Sequence, residues 1–139
     1  MFDKECIFDD STQHLTTEAS TDLIDLNSIH NIAVGSSMSI LALVTTAMTD
    51  SSSNSTMTVT LETDDNAAFS SATEIQTIGL FAALSAIGTK LQVPLTLNDT
   101  YERYIRLKYT VANGDLTTGS FFTAIQLTPD ASKIYPDAL

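Results

Sequence analysis

The stretch STMTVTLET, residues 55–63, alternates apolar and polar side chains without a break. Met57, Val59 and Leu61 fall on one side of an extended chain, and threonines with Glu62 fall on the other. Successive side chains of a β-strand point to opposite faces of a sheet, so this period of two indicates a strand with one buried face. Threonine is β-branched and suits the pleated, partly exposed side of such a strand.

Similar patterns along the chain predict an all-β fold. Further strands are predicted at residues 22–26, 37–48, 73–79, 90–97, 103–111 and 120–127. This gives roughly seven or eight short strands, which is typical of an antiparallel β-sandwich or barrel. The 139 residues suit a single domain. The predicted core comprises Val59, Leu61, Ile105, Leu107, Ile125 and Leu127.

Three local signals refine this prediction. Pro94 has no backbone N–H to donate, so the strand at 90–97 is expected at a sheet edge or with a bulge. Asn113-Gly114 predicts a hairpin turn between the two strands that flank it, because both residues tolerate positive φ. LFAALSAIG, residues 80–88, fits either a helical turn or a buried loop.

The two ends of the chain lack strand periodicity. Residues 1–21 are polar and acidic and are predicted to form an irregular N-terminal arm, and residues 129–139 are predicted to form a tail. Both could cover a wide partner surface by becoming ordered on binding. The alternative is that they fold back onto their own sandwich. Four apolar residues in these polar segments are candidate interface anchors: Phe2, Ile7, Phe8 and Tyr135.

The charge of the chain restricts its partners. Seventeen acidic residues against six basic ones give a net charge of −11 and a pI near 4.1. Nucleic acids and anionic membranes are bound through lysine and arginine, so neither is expected as a partner. A protein with basic patches is the natural complement. The single cysteine, Cys6, excludes an intrachain disulfide, and neither a signal peptide nor a membrane span is predicted.

No catalytic, cofactor or metal site is predicted. The two histidines, His14 and His30, fall in segments interpreted as arm or loop, where a general base would not be held in place. Glu62, Asp64 and Asp65 are the densest group of carboxylates, and a surface cation site there is conceivable. Their spacing does not match a calcium loop, so an ordinary solvated turn is the favoured interpretation.

The outward face of the strand at 103–111 carries Tyr104, Arg106 and Lys108 at alternate positions. Tyrosine and arginine are favoured in interfaces, so this strip is a candidate contact surface. Cross-strand pairing with acidic neighbours is an equally good interpretation. A sugar-binding sandwich also stays open, with Tyr101 and Tyr104 as the candidate stacking residues.

Several segments together resemble one family, the capsid cement (decoration) proteins of short-tailed bacteriophages of the Bordetella-phage type. The resemblance covers most of the chain, from about residue 17 to the end. It is carried by ETDDNAAFSSATEI (62–75), ERYIRLKYTVANG (102–114), the FTAIQL strand that follows and YPDAL (135–139), with ASTDLIDL (19–26) as weaker support.

The resemblance implies a jelly-roll β-sandwich that sits on the outer surface of the virion and clamps subunits of the major capsid protein. It implies neither catalysis nor a cofactor, and it places synthesis in the host cytoplasm. Closed symmetric dimers are the commonest oligomers, so a homodimer is expected, with a trimer as the alternative. The competing function is a carbohydrate- or receptor-binding module of a phage virion.

Overall fold

A computed structural model describes residues 4–27, 38–95 and 101–127. Within these ranges the regular structure consists of one short 3-10 helix, Lys4–Cys6, and nine β-strands. The strands are β1 (Ile7–Gln13), β2 (Glu18–Ala19), β3 (Ile24–Asp25), β4 (Met38–Thr49), β5 (Thr56–Asp64), β6 (Thr73–Phe81), β7 (Lys90–Pro94), β8 (Tyr104–Ala112) and β9 (Thr118–Leu127).

The strands form two antiparallel sheets. The first has the order β1-β9-β4-β7. In the second, β5 lies between β8 and β6, while β2 and β3 pair one after the other with the remaining edge of β8. The two short strands therefore act as one interrupted edge strand. The prediction of an all-β antiparallel sandwich is confirmed.

The strands pair as they would in one long hairpin that is rolled into a sandwich. β5 pairs with β6, β4 with β7, β8 with the β2–β3 edge, and β9 with β1, so each pair encloses the one before it. Rolling this hairpin also brings β9 beside β4 and β8 beside β5. Two packed sheets with this nested order form a jelly roll.

Apolar faces of both sheets meet in a single core. Phe81 of β6 and Phe121 of β9 come from opposite sheets, and their ring centroids lie 5.4 Å apart. Five of the six predicted core residues are buried, and the side chain of the sixth, Leu127, lies outside the described part of the structure. β7 is an edge strand and ends at Pro94, as its missing N–H predicts. The confirmed core residues are Val59, Leu61, Ile105, Leu107 and Ile125.

The prediction of an irregular arm over residues 1–21 is wrong for the part that the structure describes. Ile7 begins β1 and lies opposite Ala124 of β9, while Phe8 is completely buried in the core. A phenylalanine stabilises a fold by roughly 2–3 kcal/mol when fully buried, which explains why this segment folds back. Ile7 and Phe8 are therefore parts of the sandwich. Phe2, Tyr135 and the segment 129–139 lie outside the described residues.

The prediction of a hairpin at Asn113-Gly114 is also wrong. Both residues have positive φ, 68° and 106°, as expected for this turn. However, β8 belongs to one sheet and β9 to the other, so the connection crosses between sheets. Leu116, which follows the turn, is buried at the end of the sandwich, and Ser55 Oγ donates a 2.7 Å hydrogen bond to the Gly114 carbonyl. These contacts direct the chain across the core.

Residues 82–89 connect β6 to β7 as an irregular loop. The predicted helical turn is absent from this loop, and the buried-loop alternative holds only for Ser85, since Leu84 and Ile87 are exposed. In the described ranges no helix is both long enough and apolar enough to cross a membrane.

Candidate functional sites

A charged cluster occupies the outer face of the second sheet. Glu62 of β5 lies directly opposite Arg106 of β8, whose Nε donates a 3.1 Å hydrogen bond to Glu62 Oε2. Lys108 Nζ lies 3.7 Å from the other carboxylate oxygen. The side chain of Glu62 is 9% exposed, whereas that of Lys108 is 43% exposed. Both Arg106 and Lys108 are therefore paired with the acidic residue on the neighbouring strand, as one of the two interpretations of this strip predicts.

Phe69 covers the arginine of this cluster. The connection between β5 and β6 folds back over the sheet, and the Arg106 guanidinium lies 4.1 Å from the centroid of the Phe69 ring. Phe69 is buried despite a φ of 49°, an uncommon conformation for a bulky residue. A cation stacked on an aromatic ring contributes about 0.5–2 kcal/mol, depending on its exposure. Arg106 is thus engaged within the fold, and Lys108 is the more accessible of the two.

Tyr104 lies at the start of β8 and is half-buried. The guanidinium of Arg103 lies 5.0 Å from the centroid of the Tyr104 ring. Arg103 also forms a two-point contact with Asp25 of β3, with N–O distances of 2.9 Å for both hydrogen bonds. These hydrogen bonds from Arg103 are the main reason why the pKa of Asp25 is lowered. Contact of Tyr104, Arg106 and Lys108 with a partner stays a prediction.

The two tyrosines proposed for sugar stacking differ in accessibility. Tyr101 is completely buried in the core, so its ring has no exposed face. Tyr104 is partly exposed, but the guanidinium of Arg103 lies over its ring. Tyr101 is therefore excluded as a stacking residue.

A polar cluster lies inside the sandwich, at a place that the sequence did not predict. Asp9 of β1 accepts hydrogen bonds from the hydroxyl group of Tyr109 at 2.6 Å and from the Thr21 amide at 2.9 Å. The Tyr109 oxygen also lies 3.0 Å from the Thr123 hydroxyl oxygen. Tyr109 belongs to one sheet and Thr123 to the other, so the cluster joins the two sheets.

His14 completes the buried cluster. Its Nε2 lies 3.1 Å from Asp9 Oδ1 and its Nδ1 lies 3.0 Å from Glu18 Oε1, while its ring stacks on Tyr109 with centroids 4.1 Å apart. Neither ring nitrogen is aligned for a linear hydrogen bond, so both contacts are better described as ion pairs. His14 thus connects β1 to β2 and packs both against β8.

Burial and charge oppose each other in this cluster. Burial alone would raise the pKa of Asp9, but the contacts from His14, Tyr109 and the Thr21 amide lower it overall. Burial alone would lower the pKa of His14, but Asp9 and Glu18 outweigh it and raise that pKa. Burial and the Asp9 charge raise the pKa of Tyr109 well above its usual value. The charged forms of Asp9 and His14 therefore stabilise each other.

The cluster resembles a catalytic set in composition but serves as an internal brace. Asp9 is 1% exposed and His14 2% exposed, and Tyr109 is completely buried. A substrate would have to reach groups that are packed between the sheets. This arrangement has no clear signal in the sequence, because two register shifts interrupt the alternation along β1.

The carboxylates near the end of β5 stabilise a turn. Asp64 is buried and accepts hydrogen bonds from the amides of Asn66 and Ser71, at 3.0 and 2.7 Å. Carboxylate oxygens of Asp65 and Glu102 lie within 4.8 Å of Asp64, a grouping that could hold a cation. The Asp64 oxygens already accept amide hydrogen bonds, which fits the interpretation of an Asp-stabilised turn.

An open pocket of about 430 Å³ lies beside the 3-10 helix and β3. Glu5 and Asp25 contribute its carboxylates, and Asp25 is already paired with Arg103. The pocket combines these groups with the apolar side chains of Leu23 and Ile24.

The fold and these clusters define a small, acidic jelly-roll protein whose buried polar side chains brace its two sheets. The family model of Bbp16 matches residues 8–125, from β1 to β9, and the chain therefore belongs to the Bbp16 family. The name of the family indicates a Bordetella phage protein, so the chain is phage-associated. Among curated proteins, none matches the chain.

Proposed function

We propose that the chain is a capsid cement protein, which binds the outside of a phage shell and stabilises contacts between subunits of the major capsid protein. The observation that carries this proposal is membership of a phage family over the whole sandwich, residues 8–125. The resemblance of the 62–75 and 102–114 segments to cement proteins supports the same function.

The charge of the chain fits an external position. A net charge of −11 repels packaged DNA and complements basic patches on a shell protein. A protein that binds only the assembled shell stabilises that state by mass action, by about 2.7 kcal/mol when its free concentration is a hundred times Kd. The effect depends only on the free concentration of the protein and on its Kd for the assembled shell.

Cryo-electron microscopy of the parent particle tests the proposal. A cement protein occupies many equivalent lattice positions on the outer surface, whereas a receptor-binding module occupies the tail. Density for this jelly roll at the tail alone would favour the carbohydrate- or receptor-binding alternative. The burial of Tyr101 removes one of the two tyrosines on which that alternative rests.

The stabilising role has its own test. Shells that lack the protein should lose integrity at a lower temperature than native particles. Adding back the purified chain should restore the native value. Restored binding without restored heat resistance would mean that the protein decorates the shell and does not cement it.

Self-association is a separate part of the proposal. A dimer can contact two shell subunits across a seam, and a trimer is the alternative. Light scattering at micromolar concentration distinguishes monomer, dimer and trimer. A monomer in solution that also makes no self-contact on the particle would refute this part.

A further inference from the structure

Three of the four large hydrophobic side chains that are exposed in the described ranges lie close together in the chain. Leu80 at the end of β6 is 54% exposed, and Leu84 and Ile87 in the following loop are 51% and 69% exposed. Residues 78–89 contain no charged side chain, although the chain as a whole carries a net charge of −11. We call Leu80, Leu84 and Ile87 the apolar tip.

The backbone holds the loop in one shape. The Met48 amide of β4 donates to the Ser85 carbonyl, and the Gly88 amide donates to the Val44 carbonyl, both at 2.9 Å. Inside the loop, Ser85 Oγ donates a 2.7 Å hydrogen bond to the Ala82 carbonyl. Phe81, which directly precedes the loop, is buried in the core. The exposed leucine and isoleucine are therefore presented by a fixed backbone.

Leu84 is unfavourable in the free protein in two ways. Its φ of 58° lies in the left-handed region, which glycine and asparagine adopt much more readily than a bulky residue. Its side chain is also half exposed to water. A leucine at such a position makes physical sense when its side chain is buried against another molecule.

The area of the tip indicates what kind of molecule covers it. Three partly exposed aliphatic side chains offer on the order of 300 Å², whereas a stable two-protein interface uses about 800 Å² from each partner. Two tips meeting each other would therefore not hold a dimer by themselves. An exposed, uncharged tip suits an apolar hollow in a larger partner that also contacts other parts of this acidic protein.

We infer that the apolar tip inserts into an uncharged apolar hollow of a shell subunit and anchors the sandwich there. This inference rests on the proposed cement function, because that function supplies the partner. The acidic surface then provides steering, and the tip provides the contact that slows dissociation.

The test is a binding measurement with purified shells that lack the protein, using sedimentation of the bound chain. The variant combines Leu84→Asn, which suits a positive φ, with Ile87→Ser. Each lost aliphatic contact is expected to weaken binding about tenfold or more, so the double variant should bind about a hundredfold more weakly. Leu23→Ser is the matched control. Leu23 is exposed and directly precedes β3, which lies at the edge of the second sheet opposite to β6. The affinity of this variant should stay within about twofold of the original.

The outcomes separate this inference from the function on which it rests. If the unaltered chain does not bind shells, the cement function fails. If the unaltered chain binds and the double variant binds equally well, the cement function stands and the tip inference is wrong. The free double variant should unfold at the same temperature as the unaltered chain or higher. A large fall in that temperature, or a change in oligomeric mass, would show that the tip is covered by this chain or by a second copy, and would overturn the inference.

Discussion

The hydroxyl group of Tyr109 is the point at which the two sheets share a hydrogen-bonded contact with Asp9. Tyr109→Phe removes this donor and leaves a buried carboxylate with one fewer partner. A hydrogen bond to a charged group contributes about 1.5–3 kcal/mol, so we expect the free energy of unfolding to fall by about that amount. Urea denaturation measures the change.

Tyr104→Phe is the matched control for this substitution, because Tyr104 is half-buried on the outer face and lies outside the buried cluster. Removing the hydroxyl group of Tyr104 should change the free energy of unfolding by less than about 0.5 kcal/mol. Equal losses in the two variants would mean that the buried cluster does not brace the sheets.

The ion pair of His14 gives stability a defined pH dependence. Because Asp9 and Glu18 raise the pKa of His14, its contribution is fully present below the ordinary value of 6.5 and is lost as pH rises through the raised value. Asp9 behaves in the opposite way, since its pKa is lowered: its contribution is present above 3.8 and is lost as pH falls through the lowered value. The pair therefore stabilises the fold most between pH 3.8 and 6.5.

A comparison with His14→Gln isolates this contribution. Between about pH 6 and pH 9 the unaltered chain should lose more stability than the variant, by roughly 1.4 kcal/mol for each unit by which folding raises the pKa. The two proteins differ only at position 14, so the difference between their losses reports on His14. Identical losses over this range would contradict a charged His14.

Among the elements, β1 is the one whose role changes most from expectation to structure. Phe8→Ala should destabilise the free protein by about 3–5 kcal/mol, since it empties a fully buried site. Leu23→Ala, at an exposed position, should cost much less. Thermal unfolding of the isolated proteins measures both. An unaltered melting temperature for Phe8→Ala would mean that β1 is a free arm and does not pack in the core.

Strands whose sequence alternates regularly can be predicted with their inward faces, and strands whose sequence does not alternate cannot. β8 alternates in burial over most of its length and pairs with β5 without a register shift, so the inward residues of both strands are predicted correctly. β1 has register shifts between Ile7 and Asp9 and between Asp9 and Thr12, so its apolar and polar residues follow no simple period. The buried cluster was missed for the same reason, because Asp9 and His14 both depend on this irregular strand.

Long-range pairing was the second limit of the sequence. Asn113-Gly114 correctly predicted positive φ values, since this preference is local. The partner of the next strand depends on the rest of the chain, and β9 pairs with β1 and β4 instead of β8. The exposure of Leu84 and Ile87 is equally unpredictable, because a short apolar run has the same sequence pattern whether it is buried in the core or exposed to a partner.

At the scale of the whole molecule, one core shared by both sheets predicts cooperative unfolding. Phe81 and Phe121 pack across the sandwich, and Tyr109 connects to Thr123 across it as well. Far-ultraviolet circular dichroism and tyrosine fluorescence should therefore report the same transition in urea. Two separate transitions would mean that the sheets unfold independently.

The nested hairpin also fixes when the chain can fold during its synthesis. β4 lies between β7 and β9, and among the described strands β1 pairs only with β9, so the first sheet stays incomplete until Thr118–Leu127 has left the ribosome. During this interval the apolar strand β4 lacks β9, one of its two neighbours in the sheet. Sandwiches built from such distant pairs fold in milliseconds to seconds, and unpaired apolar strands are prone to aggregate. The yield of native protein should therefore depend on how fast the last strand is translated, and a pause before residue 118 should send more of the chain into aggregates.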